Sequence, residues 1–202
     1  MKSITLLIVV FFWAPAQAMA ALDFYKIASV HTRVGFHIMH AGFSPSIGTV
    51  SGPEGHIWFD DQDISKSSVA IQIPLSRLDM GDADWNRKIL SATYLSAEKF
   101  PVATFVSTSV QALEGKNFTV EGTLSLSDQS IPIRFNVTLN ANKRHPLSFK
   151  QTIGLQATTQ FSRKSLGIDA WPSLIDDTVF INVAIEANKE TPPLKQGETD
   201  AH

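Results

Sequence analysis

Three of the six histidines, His31, His37 and His40, lie close together and are the first candidates for metal chemistry. The alternating apolar residues around them predict a β-strand, on which side chains an odd number of residues apart point to opposite faces. His37 and His40 therefore point apart, and His31 and His37 stand about 20 Å apart at roughly 3.3 Å per residue. We predict no metal site here, and we interpret His31 and His40 as residues that cap or close loops at the two strand ends.

Motifs for hydrolytic, thiol or phosphate chemistry are missing from the sequence. There is no G-x-S-x-G element, no cysteine and no glycine-rich phosphate loop. Asp60, Asp61 and Asp63 cluster in a predicted turn, where carboxylates are solvated rather than catalytic. We therefore predict no catalytic residues and no enzyme; an enzyme that uses His31 or His40 with a nearby carboxylate is the weakest of the alternatives.

The first twenty residues have the pattern of a cleavable secretory signal. Lys2 precedes an apolar run from Ile4 to Trp13, and small residues follow at Ala16, Ala18 and Ala20, so that cleavage fits after either Ala18 or Ala20. The alternative is a membrane anchor, but a spanning helix needs about 20 apolar residues and this run has roughly half of that. We expect a periplasmic or secreted protein with no membrane-spanning segment.

The remaining chain is long enough for one domain with a core of its own. We predict a domain over residues 21–188 and a polar, disordered tail over residues 189–202, which is rich in polar residues and contains two prolines. The formal charge of the whole chain is −2, from 17 basic and 19 acidic residues. Such a balance lacks the basic character of nucleic-acid-binding proteins.

Apolar residues recur with period two along most of the chain, which predicts half-buried β-strands. The clearest runs of alternating residues are Val34 to Ile38, Ile57 to Phe59, Val69 to Leu75, Phe118 to Leu126, Ile131 to Leu139 and Val179 to Ile185, with further strands near 103–111 and 148–161. About eight strands at this spacing suit an antiparallel sandwich or barrel. One segment, Asp82 to Glu98, has helical spacing; Asp82 or Asp84 can cap its start and Pro101 stops it.

Several stretches resemble the YceI-like family of polyisoprenoid-binding periplasmic proteins. The most specific runs from Leu90 to Phe105 and contains Lys99-Phe100-Pro101-Val102-Ala103-Thr104-Phe105; the stretches His31 to His40, Val120 to Leu126 and Phe161 to Ile168 support it. The likeness extends from about Leu22 to Asn188. Trp85-Asn86 and Lys88-Ile89 stand where the family has an Arg-Asp pair and a His-Leu pair.

The resemblance implies a mainly β fold: an eight-stranded antiparallel lipocalin-like barrel with one helical segment between strands three and four. It also implies a carrier that holds an isoprenoid lipid or quinone in an apolar tunnel, a homodimer, and for some members a part in stress response. The residues expected to line the interior are Phe36, Ile38, Ile71, Ile73, Phe105, Leu124, Phe135, Val137, Leu155 and Ile181.

Period two alone does not distinguish a hollow barrel from a packed one, because an eight-stranded barrel can be filled by its own side chains or hold one small ligand. The alternative to a lipid carrier is therefore a non-catalytic structural or interaction barrel, without a lipid ligand, that acts through its surface or as a dimer.

Overall fold

The computed structural model describes residues 22–193, so the predicted signal peptide and residues 194–202 of the predicted tail lie outside the described residues. One antiparallel sheet contains all the strands of this range. The strands are β1 (Asp23–Ile27), β2 (Arg33–His40), β3 (Ser44–Ser51), β4 (Glu54–Phe59), β5 (Ser68–Pro74), β6 (Leu78–Asp79), β7 (Val102–Ala112), β8 (Asn117–Leu126), β9 (Gln129–Arg144), β10 (Gln151–Ser162) and β11 (Ile175–Lys189).

The sheet closes on itself as an eight-stranded barrel. Strand β11 pairs with β10 on one side and, on the other, first with β2 and then with β1, which closes the ring. Strands β1 and β2 are two halves of one long strand, and the same holds for β3 with β4 and for β5 with β6. The halves pair in two rows: β1 with β4 and β4 with β5, and β2 with β3 and β3 with β6. The prediction of a mainly β, eight-stranded antiparallel barrel with one helix is confirmed.

The predicted length of the helix is wrong, and its predicted position does not match the count of strand segments. The helix α1 covers only Ala83–Leu90 and follows the sixth segment, β6, although it stands between the third long strand, formed by β5 and β6, and the fourth, β7. The strand count differs because each of the first three long strands is broken into two segments. The helix ends early because the Ser91 hydroxyl donates to the Lys88 carbonyl (2.7 Å) and Ser96 takes a φ of 48° in the left-handed region. Its predicted start is confirmed: the Asp82 carboxylate accepts from the amides of Asp84 and Trp85.

The barrel is filled by its own side chains at the end where the chain enters. Tyr25, Ile153 and Ala187 are fully buried there, and the Tyr25 ring meets the Phe59 ring edge to face, with 6.1 Å between centroids. Burial, and the negative charges of Asp23 and Asp61, raise the pKa of Tyr25 to about 12.

The raised pKa of Tyr25 predicts an alkaline loss of stability. An unfolded tyrosine has a pKa of about 10, so the contribution of Tyr25 is fully present below pH 10 and disappears as the pH rises from about 10 to about 12. We expect a loss of about 2 kcal/mol from this group over that interval. Urea unfolding of the wild type and of Tyr25→Phe at pH 9 to 12 checks it: the wild type should lose more stability than the variant, whereas parallel curves would contradict the prediction.

Candidate ligand-binding site

An elongated cavity lies inside the barrel. Its wall is almost entirely apolar. Its volume of about 370 Å³ lies within the range of about 300–1,000 Å³ that is common for ligand pockets. Phe118 and Leu126 both line it and are eight residues apart on β8, which corresponds to about 26 Å along the strand. The cavity is therefore long enough to accept an extended chain.

The alternation of the strands places the predicted residues on this wall. All ten residues that the sequence assigned to the interior line the cavity, because the inward face of each strand carries every second side chain. Phe36, Ile71 and Ile181 are only partly buried, although they point away from the outer surface, because their side chains border the open interior. Their contact with a lipid stays a prediction.

Two glycines shape the interior by making room for aromatic rings. A Cβ atom on Gly122 would lie 2.6 Å from the Phe105 ring, and one on Gly48 would lie 2.3 Å from the Phe36 ring and 2.5 Å from the Met80 sulfur. The Phe105 ring occupies the space that a Cβ on Gly122 would take, and it meets the Phe135 ring edge to face, with 5.1 Å between centroids. The rings narrow the cavity without filling it.

One end of the cavity, here called the mouth, lies beneath α1 and the segment 163–176 that joins β10 to β11. The wall there includes polar side chains that sequence reasoning did not assign to the site: Ser46, Lys88, Tyr94 and Arg163, together with His40. An amphiphile with its tail in the apolar part would therefore have its head group near these side chains. Lys88 was visible in the sequence only as a departure from the family pattern.

Arg163 is the most unusual residue of the mouth, because it is charged and only 3% exposed. Its guanidinium donates from Nε to the Asp176 carbonyl (2.9 Å), from Nη1 to that of Ile168 (2.8 Å) and from Nη2 to that of Ile175 (2.9 Å). Carbonyl dipoles rather than a paired carboxylate thus solvate this charge. The three bonds tie the segment 168–176 to the end of β10.

Asp177 strengthens the same junction from the other side. Its carboxylate accepts from the Ser162 hydroxyl (2.7 Å) and from the Lys164 amide (3.2 Å). The Ser162 hydrogen bond, with smaller effects from the Lys164 amide and the charges of Lys164 and Arg163, holds the pKa of Asp177 below its ordinary value. The mouth therefore has one firmly held rim.

The histidines lie apart from one another. His31 Nδ1 is 3.0 Å from a Glu186 carboxylate oxygen at the surface, His37 stacks on Phe180 outside the barrel with 4.7 Å between centroids, and His40 lies at the mouth. Across residues 22–193, no group of three or more His, Asp or Glu side chains is placed to hold a metal ion. Within the same range, no helix has the length and apolar character to cross a membrane.

Comparison with known proteins agrees with this architecture. The model of the YceI-like domain matches residues 25–187. The chain belongs to the YceI-like family. A curated relative, the UPF0312 protein of Pseudomonas putida, is 30% identical over 176 residues, which cover 86% of this chain and 90% of the relative.

Two solved structures share the fold of this YceI-like protein. The crystal structure of Burkholderia cenocepacia BcnA matches with a TM-score of 0.72 and 19% identity, over 79% of this chain and 98% of that one. A polyisoprenoid binding domain from Saccharophagus degradans, implicated in plant cell wall breakdown, matches with a TM-score of 0.62 and 15% identity, over 84% of this chain and 99% of that one.

Proposed function

We propose that this YceI-like protein binds and carries a polyisoprenoid or similar long-chain lipid, of the quinone or polyprenyl type, inside its barrel. The observation that carries the proposal is the elongated, almost entirely apolar cavity between Phe118 and the mouth. A polyisoprenoid-binding domain with the same fold supports it. So does the pattern of a secretory signal in residues 1–20, since a periplasmic or secreted carrier would take long-tailed lipids through water.

The affinity would come from the tail. Each buried CH₂ group contributes about 0.8 kcal/mol, so a tail that buries about ten of them gains roughly 8 kcal/mol before the entropy cost of binding. The polar side chains of the mouth would then set the head group that is accepted. No residue of the wall needs to act as a catalyst, and a homodimer remains a prediction from the resemblance.

The test is to purify the protein from its own host and identify what it holds. Native mass spectrometry should show a mass increase equal to one long-chain lipid per protein chain, and solvent extraction should recover a molecule with a prenyl tail. A protein that is empty from its host and that also takes up no prenyl lipid from detergent solution would overturn the proposal.

A further inference from the structure

Large apolar side chains surround the cavity mouth and face solvent. Phe43 at the β2–β3 turn is 90% exposed and Trp171 is 56% exposed, and Trp85 on α1 and Leu174 are exposed as well. We call these four residues the mouth collar. Exposed apolar residues are ordinary when scattered singly, but a group of them at one opening marks an interaction site.

Three separate parts of the chain are held together to form the collar. The Ala41 amide donates to the Leu174 carbonyl (2.6 Å), which joins the β2–β3 turn to the segment before β11. Lys88 Nζ lies 5.9 Å from the centroid of the Trp171 ring, which joins α1 to that same segment. Since Trp85 and Lys88 also line the cavity, the collar is continuous with the cavity wall.

The exposure of Trp171 has no explanation in the folding of the barrel. Its φ of 54° lies in the left-handed region, which is unfavourable for a bulky side chain, and burial does not offset this cost. The Arg163 hydrogen bonds nevertheless hold the flanking carbonyls of Ile168 and Ile175 in place. The segment thus presents an indole ring to solvent from a fixed position.

The charge around the collar is nearly balanced and includes no cluster of bases, which narrows the kind of partner. Helix α1 and its cap carry Asp82 and Asp84 against Arg87 and Lys88, and on the segment 163–176, where Arg163 is buried, Lys164 is exposed together with two acids. Residues 41–46 carry no charge. Aromatic residues with neutral surroundings suit the interface of a zwitterionic bilayer, where tryptophan is enriched, rather than an anionic surface that would call for a cluster of lysine and arginine.

We propose that the mouth collar docks on the surface of a zwitterionic phospholipid bilayer, with the cavity opening toward the membrane. This inference rests on the proposed lipid-carrier function. Docking in this orientation would let a prenyl tail pass between bilayer and cavity without crossing water, because the collar and the cavity wall form one continuous apolar surface.

The experiment compares two double variants of the same chemistry at opposite ends of the barrel. Phe43→Ser with Trp171→Asn removes two collar residues that do not line the cavity. Leu147→Ser with Phe149→Asn is the matched control, because these residues are 84% and 72% exposed in the β9–β10 turn and Phe149 also has a positive φ, of 57°. Asparagine suits both positions because it tolerates the left-handed region.

Co-flotation with phosphatidylcholine vesicles and vesicle-to-vesicle transfer of a fluorescent prenyl lipid are the measurements. We expect the collar variant to lose at least fivefold in both the vesicle-bound fraction and the transfer rate, and the control variant to match the wild type. The vesicle-bound fraction of the wild type should change less than about twofold between low salt and about 0.5 M salt, because salt screens charge attraction and docking through apolar residues does not depend on it. Brominated phospholipid should quench Trp171 in a variant that keeps it as the sole tryptophan.

Uptake of the prenyl lipid from detergent solution separates this proposal from the carrier function. Equal uptake by all variants, with vesicle binding lost only in the collar variant, supports docking. Equal loss in both variants, no vesicle binding by the wild type, or binding only to anionic vesicles would overturn docking and leave the carrier function standing. Failure of every variant to take up lipid from detergent would overturn the carrier function itself.

Discussion

Replacing Ile71 by tryptophan should weaken binding of a prenyl lipid at least tenfold, with the free energy of unfolding changed by less than about 1 kcal/mol. Ile71 lies on β5 opposite Phe105 of β7 and borders the open cavity. A larger side chain there extends into open space that the lipid tail would otherwise fill. In a packed interior, the same substitution would cost about 1–3 kcal/mol through overpacking.

The neighbouring Gln72→Trp is the matched control. Gln72 lies on the same strand but is exposed on the outer face, so the indole should leave both lipid binding and stability as they are. Titration with a fluorescent prenyl lipid and urea unfolding of the three proteins check the prediction. Unchanged lipid binding by Ile71→Trp would contradict it. The structural barrel would be favoured instead if none of the three proteins binds lipid and Ile71→Trp loses about 1–3 kcal/mol of stability, which is the cost of overpacking.

The interior of this barrel is predictable because it follows a local rule. On β9, Ile133, Phe135 and Val137 alternate with polar residues, and the structure places all three on the cavity wall. Period two determines which face a side chain occupies, whatever the order of strands in the sheet. The ten interior residues were recognisable for this reason.

The positions at which the long strands are interrupted cannot be predicted from period two. Thr32, between β1 and β2, turns its hydroxyl to the backbone of Glu186, a residue 154 positions away. The helix α1 ends at Ser91, whose amide and hydroxyl both donate to the Lys88 carbonyl. Because helical spacing continues to Leu95 in the sequence, periodicity alone extended the helix beyond its true end.

The mouth was the part of the site least accessible from the sequence. An arginine is ordinarily assigned to the surface, and Arg163 is buried only because the fold brings the carbonyls of Ile168, Ile175 and Asp176 around its guanidinium. Trp85 and Lys88 differ from the family pattern. This difference distinguishes the helix in the sequence but does not predict where the helix lies in the fold. Tertiary contacts, rather than periodicity, place these side chains at the mouth.

Arg163→Met should destabilise the protein by about 3 kcal/mol, because it leaves the carbonyls of Ile168, Ile175 and Asp176 without the donors that the buried guanidinium supplies. Methionine keeps much of the volume of the side chain, so the loss reports the hydrogen bonds more than a cavity. Lys164→Met is the control: the neighbouring side chain is exposed and its backbone amide keeps its bond to Asp177. We expect this control to stay within about 0.5 kcal/mol of the wild type.

The same substitution should also loosen one rim of the mouth. Since the three carbonyls belong to the ends of the segment that carries Trp171 and Leu174, amide hydrogen exchange should quicken at Leu174, Ile175 and Ala41, whose amide is bonded to the Leu174 carbonyl. Exchange at Ile153 and Ala187, at the filled end of the barrel, should then change only as much as the global stability does. Urea unfolding with exchange mass spectrometry checks both effects. A uniform rise in exchange would show that Arg163 stabilises the barrel as a whole and does not act on the rim.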